Sequence, residues 1–204
     1  MDATSSSPPP VVVTPIPWED PARSGFFDRF VDTVRLMATA PGEAFQRMPA
    51  AGGIGRPLLF GGMWLPFLDQ SRLGEVGAAF GLSTGMTMMM MIVAPVLVII
   101  GVFIQAAILH LMLMLVGGAN SGFEATTRVC SYAYTAQLAQ ILPFCGGILA
   151  TVWALILLIV GLATAHRITR GKAAVAVVLP LVLCCAFTAA LLFMGVLAGV
   201  AASR

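Results

Sequence analysis

Charged side chains are scarce in this sequence. Asp, Glu, Lys and Arg make up 10% of its 204 residues, and hydrophobic side chains make up 59%, whereas soluble domains carry about 25% charged residues. No acidic or basic residue stands between Glu75 and Glu124, and none stands between Lys172 and Arg204. Because about 20 apolar residues suffice to cross a bilayer, these stretches exclude a water-soluble fold and indicate an integral membrane protein.

The features of several functional classes are also missing. The net charge is only +2, from eleven scattered basic residues, so no nucleic-acid-binding surface is expected. The two histidines have no clustered acids or thiols beside them, which argues against a metal site. The four cysteines lack C-x-x-C spacing and are expected to be small packing residues. We therefore expect neither a metal nor a cofactor.

Two segments precede the apolar part of the chain. Residues 1–23 are rich in Ser and Pro, which predicts a disordered tail, and they lack the basic region that opens a cleavable signal peptide. Residues 24–50 switch to helical periodicity, with Phe26, Phe27 and Phe30 on one face and charged side chains on the other. Such a short amphipathic helix either lies in the membrane interface or packs on the cytosolic ends of a helix bundle.

Residues 51–204 are predicted to form a membrane domain of five transmembrane helices, so the fold class is an all-α integral membrane protein. The predicted spans are 57–68 with a continuation past Leu68, 86–116, 126–142, 148–165 and 173–202. The first span is the weakest of the five, because its apolar stretch is too short to cross a bilayer by itself.

The distribution of positive charge decides in favour of the first span. With five spans, nine of the eleven Lys and Arg residues fall on the N-terminal side, and only Arg72 and Arg204 fall on the other. Four spans would place the N-terminal arginines and the 166–172 loop on opposite sides, against the positive-inside rule. The sequence thus predicts a cytoplasmic N-terminus and an outer C-terminus. The excess of Arg over Lys favours a bacterial inner membrane.

Polar side chains inside the predicted spans are candidate functional residues. The candidates are Gln105, His110, Tyr134, Gln137 and Gln140. The last three share one face of span three with Cys130, whereas Gln105 and His110 lie about 140° apart on span two. Either these side chains hydrogen-bond to neighbouring helices, or the span-three stripe lines a path for a solute or a proton.

Two glycine patterns have possible functional meanings. Gly195 and Gly199 form a G-x-x-x-G pattern, which permits close helix packing within one chain or in a homo-oligomer. The G-x-S-x-G pattern at 81–85 matches the nucleophile elbow of hydrolases, but it lies in a loop between two spans rather than between a strand and a helix. We therefore expect no enzymatic activity.

Several segments together resemble the YIP family, the Yip-one domain of Ypt/Rab-GTPase-interacting membrane proteins, over about residues 41–200. They are PGEAFQRMP (41–49), the Leu109-His110 and Gly117-Gly118 pairs that end span two, FEATTRVCSYA (123–133), PFCGG (143–147), VWALILLIVGLATAH (152–166) and GKAAVAVVLP (171–180). The PWEDP sequence (17–21) looks like the N-terminal extension of bacterial members.

The resemblance implies a five-helix membrane protein with a cytosolic N-terminus and no established catalytic residues. In eukaryotes the family is tied to vesicle trafficking and small-GTPase binding, a role with no obvious bacterial counterpart. The leading hypothesis is a non-enzymatic scaffold or interaction partner that contacts the lipid bilayer and binds a protein through residues 18–50. The alternative is a small permease or channel component that uses the span-three stripe.

Overall fold

The computed structural model describes residues 14–22, 25–64, 81 and 84–202, and over this part of the chain all regular elements are helical. The helices are α1 (Phe26–Thr39), α2 (Pro41–Arg47), α3 (Gly55–Gly62), α4 (Thr84–Leu115), α5 (Gly122–Ala133), α6 (Gly146–Ala165) and α7 (Arg170–Ala202). Two 3-10 helices accompany them, a short one at Pro17–Glu19 and a longer one at Tyr134–Ile141.

Three of the helices are long and apolar enough to cross a membrane. They contain the candidate spans Ile92–Leu115, Gly146–Ala165 and Arg170–Gly195. The helices α4, α6 and α7 correspond to the second, fourth and fifth predicted spans. The first and last residues of each whole helix lie within three residues of the predicted bounds. The prediction of a helical membrane protein is therefore confirmed, while the prediction of five crossings is not confirmed by these three.

The third predicted span has a different structure from the single α-helix expected over 126–142. The α-helix α5 begins earlier, at Gly122, and gives way to a 3-10 helix at Tyr134. An eight-residue 3-10 helix is unusually long. It packs closely on the start of α6, where a Cβ at Gly146 would lie 2.6 Å from the carbonyl oxygen of Ala139. Only glycine permits this approach.

Parts of two other predictions lie outside the described residues. For the first predicted span the structure shows α3 and the turn that follows it, and the continuation from residue 65 onward is outside. Most of the predicted N-terminal tail, residues 1–13, is outside as well.

The N-terminal helices pack against the membrane-domain helices. The buried Phe45 of α2 lies on α6 at Gly161, where an added Cβ would come within 2.8 Å of Phe45 Cζ. Met37 of α1 is also fully buried. One cluster of aromatic rings joins the first 3-10 helix, α1, α3 and α5, and neighbouring ring centroids in it lie 5.0 to 6.3 Å apart. Its members are Trp18, Phe30, Phe60, Trp64 and Tyr132. One face of the amphipathic segment is thus part of the folded core.

Candidate functional site

The N-terminal end of the described chain folds back onto the membrane domain. Trp18 is buried in the first 3-10 helix, and its indole N–H donates to the carbonyl of Arg56 at 2.6 Å. The backbone N–H of Trp18 donates to the Thr33 hydroxyl at 2.8 Å. Pro17 at the start of the turn fixes φ in the range that the turn requires. Together these contacts hold Glu19 against α5.

Glu19 forms a buried ion pair with Arg128 of α5. The Arg128 side chain is fully buried and donates to Glu19 Oε2, while the Tyr132 hydroxyl donates to Glu19 Oε1 at 2.5 Å. The Arg56 guanidinium donates to the Glu19 carbonyl at 2.9 Å. A buried charge is costly without a partner, so the 3-10 turn Pro17–Glu19, called the N-terminal turn below, is needed to stabilise Arg128.

The loop before α3 completes the surroundings of Arg128. Arg128 also donates to the carbonyl of Gly53, and the Gly53 N–H donates to Glu124 Oε1 at 2.7 Å. The same Glu124 oxygen lies 3.7 Å from the Arg128 guanidinium. Gly53 has a φ of +95°, a conformation that favours glycine. We refer to Glu19, Gly53, Glu124, Arg128 and Tyr132 as the Arg128 cluster.

Sequence reasoning misses the Arg128 cluster. The available signal was an arginine placed two residues after the start of a predicted span, because a charge at that depth requires a partner. The sequence offers Glu124 one helical turn away, but Glu19 stands 109 residues from Arg128. No periodicity connects residues so far apart.

The two histidines are joined through a threonine at the same end of the bundle. Thr126 Oγ1 lies 2.9 Å from His110 Nδ1 and 2.9 Å from His166 Nε2. His166 is fully buried at the C-terminal end of α6. Its Nδ1 accepts a hydrogen bond from the backbone N–H of Ser121 at 3.1 Å.

The Ser121 N–H fixes the direction of this hydrogen-bond chain. Because His166 Nδ1 accepts, the proton of the neutral ring is on Nε2, which donates to Thr126. The Thr126 hydroxyl then donates to His110 Nδ1. Burial, and then the neighbouring His110, lower the pKa of His166 from 6.5 to about 4, so the ring is neutral at pH 7. This series of hydrogen bonds therefore connects α4, α5 and the end of α6.

Three of the predicted polar residues line one cavity. Gln105, Gln137 and Gln140 border a space of about 530 Å³ between α4, the second 3-10 helix, α6 and α7. Gln137 and Gln140 lie on one side because residues three apart eclipse in a 3-10 helix, and Gln140 Nε2 donates to Gln137 Oε1. Tyr134, half-buried against the core, and Cys130 are not among the lining residues. His110 belongs to the histidine chain instead.

The predicted interfacial and helix-packing residues differ in how far they are buried. Phe27 is 75% exposed and Phe26 is 51% exposed, whereas Phe30 packs against Phe60 and other rings of the core. A Cβ placed on Gly195 would meet no described atom within 4 Å. Gly199 lies one turn further along α7.

Of the G-x-S-x-G pattern at 81–85, the structure describes Gly81, Thr84 and Gly85. Ser83 of the G-x-S-x-G pattern lies outside the described residues. Among the residues that the structure does describe, there is no group of three or more His, Cys, Asp or Glu side chains that would hold a metal ion.

Comparison with known protein families identifies a family match. The family model described as the Yip1 domain matches residues 34–192, which include all the helices from α2 to α6. A search of curated proteins found no match, and a search of solved structures found none either.

Proposed function

Because this chain belongs to the Yip1 domain family, we propose that it is a non-enzymatic membrane protein that serves as a scaffold or interaction partner in membrane organisation. The observation that carries the proposal is the Arg128 cluster. It ties the N-terminal turn to α5 through a buried ion pair and a tyrosine hydrogen bond. The segment before the spans is thereby held in one position, as a docking surface requires.

The outward face of α1 is the proposed docking surface. Phe27 and Val31 stand one turn apart and are 75% and 58% exposed, and Phe26 lies beside them. Exposed aromatic side chains on a rigid support are typical of binding surfaces. We assign the protein partner to this face, and the lipid headgroup region is the alternative occupant.

We also propose five membrane crossings with a cytoplasmic N-terminus and an outer C-terminus, in a bacterial inner membrane. The α5 helix and the 3-10 helix that follows it contain 12 and 8 residues, and at about 1.5 and 2.0 Å per residue they extend roughly 34 Å. That length matches a hydrocarbon core of about 30 Å. The remaining crossing would begin at α3.

A crosslinking experiment tests the scaffold role. A photoreactive phenylalanine analogue at Val31 should give one discrete protein adduct in intact cells, because Val31 lies on the outward face. The same analogue at Gln46, which is exposed on α2, serves as the matched control and should not give that adduct. Adducts with lipid alone at Val31 would show that α1 lies on the bilayer and would overturn the partner assignment.

The permease alternative rests on the glutamines that share one cavity. It has less support, since only four of the lining residues, Gln105, Gln137, Gln140 and Thr151, are polar. Replacing Gln137 and Gln140 with Leu would plug a polar route. Vesicles reconstituted with the parent protein or with the double Leu variant should show no solute or proton leak. A leak that occurs with the parent protein and is abolished in the double variant would overturn the scaffold-only proposal.

A homo-oligomeric contact at Gly195 and Gly199 also stays a prediction. Its support is the open space around Gly195 in the described chain. Size measurement in detergent, with Gly195→Leu as the variant, would test it.

A further inference from the structure

The cavity between α4, α6 and α7 suggests a binding site that does not depend on the proposed scaffold role. Its volume of about 530 Å³ lies within the roughly 300–1,000 Å³ of small-molecule sites. All three helices are candidate membrane spans, and Gln105, Leu155 and Leu181 of the lining fall inside those spans. The cavity is partly open, and Ile104, Ile108 and Leu181 of its lining are exposed apolar side chains within candidate spans, as expected of a rim that meets lipid.

The polar groups of the cavity are all uncharged and concentrated in a few side chains. Gln140 donates one amide hydrogen to Gln137, which leaves the Gln140 carbonyl oxygen and the Gln137 amide NH2 group available to a ligand. Among the described residues, Gln105 makes no side-chain hydrogen bond. An amide without a partner at membrane depth is unfavourable, so a ligand that bonds to it would be stabilised.

Apart from the three glutamines and Thr151, whose hydroxyl donates to the Gly147 carbonyl, the lining consists of apolar side chains and one glycine, Gly101. Such walls suit a hydrocarbon chain and give a hydrated solute few hydrogen-bond partners. No charged residue borders the cavity, so an ionised headgroup would be buried without compensation.

We propose that this cavity binds a neutral lipid-like molecule that enters from the bilayer. Its carbonyl or hydroxyl oxygens would bond to Gln105, Gln137 and Gln140. Its apolar chain would lie against α4, α6 and α7. Neutrality follows from the uncharged lining, and the bilayer is the source because all lining residues except Gln137 and Gln140 belong to candidate membrane spans.

The full chain in lipid nanodiscs can be labelled with two photoreactive probes that have the same acyl chain. One is a monoacylglycerol, which is neutral and carries two hydroxyls, and the other is a fatty acid, kept ionised at about pH 9.5 because desolvation in a bilayer raises the pKa of its carboxyl group. The monoacylglycerol should label cavity peptides in a way that unlabelled monoacylglycerol competes away. The fatty acid should label them at least ten-fold less. Equal labelling by both probes would overturn the neutral selectivity.

Variants that fill the cavity distinguish labelling by lipid bound in the cavity from labelling by the surrounding bilayer. Gly101 lines the cavity, and a Cβ there would meet no described atom within 4 Å, so the side chain of Gly101→Leu has room to begin in the cavity and should occupy part of it. Gly171→Leu is the matched control, because Gly171 also has open space but does not line the cavity. Gly101→Leu should reduce specific labelling at least ten-fold, and Gly171→Leu should leave it unchanged. Undiminished labelling of Gly101→Leu would overturn the proposal.

Two further variants complete the test. If Gly101→Leu fails to fold, as judged by circular dichroism, Thr151→Phe fills the cavity from an exposed position on α6 and should give the same loss. Replacing Gln137 and Gln140 with Leu removes two neutral hydrogen-bonding groups and should weaken monoacylglycerol binding roughly ten-fold. Unchanged affinity in this double variant would refute recognition by the amides.

Discussion

The buried pair Glu19–Arg128 should contribute far more to folding than the exposed pair Glu43–Arg47 on α2. The side chain of Arg128 is 0% exposed and that of Glu19 is 11% exposed, against 32% for Arg47 and 51% for Glu43. Exposed pairs of the α2 kind contribute about 0.3–0.5 kcal/mol. Removing one partner from a buried pair costs about 3–5 kcal/mol, because the other charge stays buried.

The expected cost of Glu19→Gln is near the lower end of that range, about 3 kcal/mol. Glu124, whose carboxylate lies 3.7 Å from Arg128, would still compensate part of the charge. The glutamine has nearly the shape of the glutamate, but its single carbonyl oxygen can accept from either Tyr132 or Arg128, and its NH2 group then faces the other donor. The loss therefore combines the removed charge with one lost hydrogen bond.

A double-mutant cycle isolates the pair. Glu19→Gln, Arg128→Met and the double variant would be unfolded with SDS in mixed micelles and followed by tryptophan fluorescence. The coupling energy should be about 2 kcal/mol or more, within the range for residues that share one network. Glu43→Gln and Arg47→Met give the matched control cycle, with an expected coupling below about 0.5 kcal/mol.

The reasoning is refuted if the two cycles give the same coupling energy. That result would mean that Glu19 reaches water or leaves α5 at little cost. Trypsin cleavage at Arg29 in α1 distinguishes local release from global unfolding. Faster cleavage of Glu19→Gln below the unfolding transition would show that the N-terminal turn is released first.

Three further predictions concern topology, the amphipathic helix and pH. A reporter that is active only in the cytosol should work when fused after Lys172 and fail when fused after Arg204; activity at both positions would remove the last crossing. Phe30→Asp should destabilise the fold because its ring packs in the aromatic cluster, whereas Phe27→Asp, on an exposed side chain, should leave the unfolding free energy nearly unchanged in the same SDS titration. As the pH falls from 6.5 to about 4, the free energy of unfolding should decline, because the unfolded chain protonates His166 at its ordinary pKa while the folded chain keeps it neutral. In SDS unfolding across this range, His166→Gln, which still offers an acceptor and a donor, should lose the part of the pH dependence that His166 causes. An identical pH profile in the variant would contradict the lowered pKa of His166.

Hydrophobic patterning predicted most of the helices because each depends on local sequence. The uncharged run from Met86 and the run after Lys172 became α4 and α7, and Pro41 separates α1 from α2 as a helix-starting proline. Apolar length and proline position are properties of neighbouring residues. They do not depend on what the helix contacts later.

The candidate site was predictable only where local geometry decides it. Gln137 and Gln140 were expected on one face at 100° per residue, and they share a face for another reason, since the backbone there is a 3-10 helix. Cys130 lies in the preceding α-helix and does not join them at the cavity. The pairing of Glu19 with Arg128 was out of reach, because it depends on tertiary packing across most of the chain.

The separation of Glu19 and Arg128 along the chain sets an order of events during synthesis. Glu19 emerges from the ribosome 109 residues before its partner, which at about 5–20 residues per second is a delay of roughly 5–20 s. During that interval the Glu19 carboxylate lacks its partner on α5. Trp18 and the Glu19 carbonyl can already bond to Arg56, which is made earlier. Closure of the Glu19–Arg128 pair is therefore a late step that waits until α5 has been made, and until then the turn is held only by its contacts with α1 and α3.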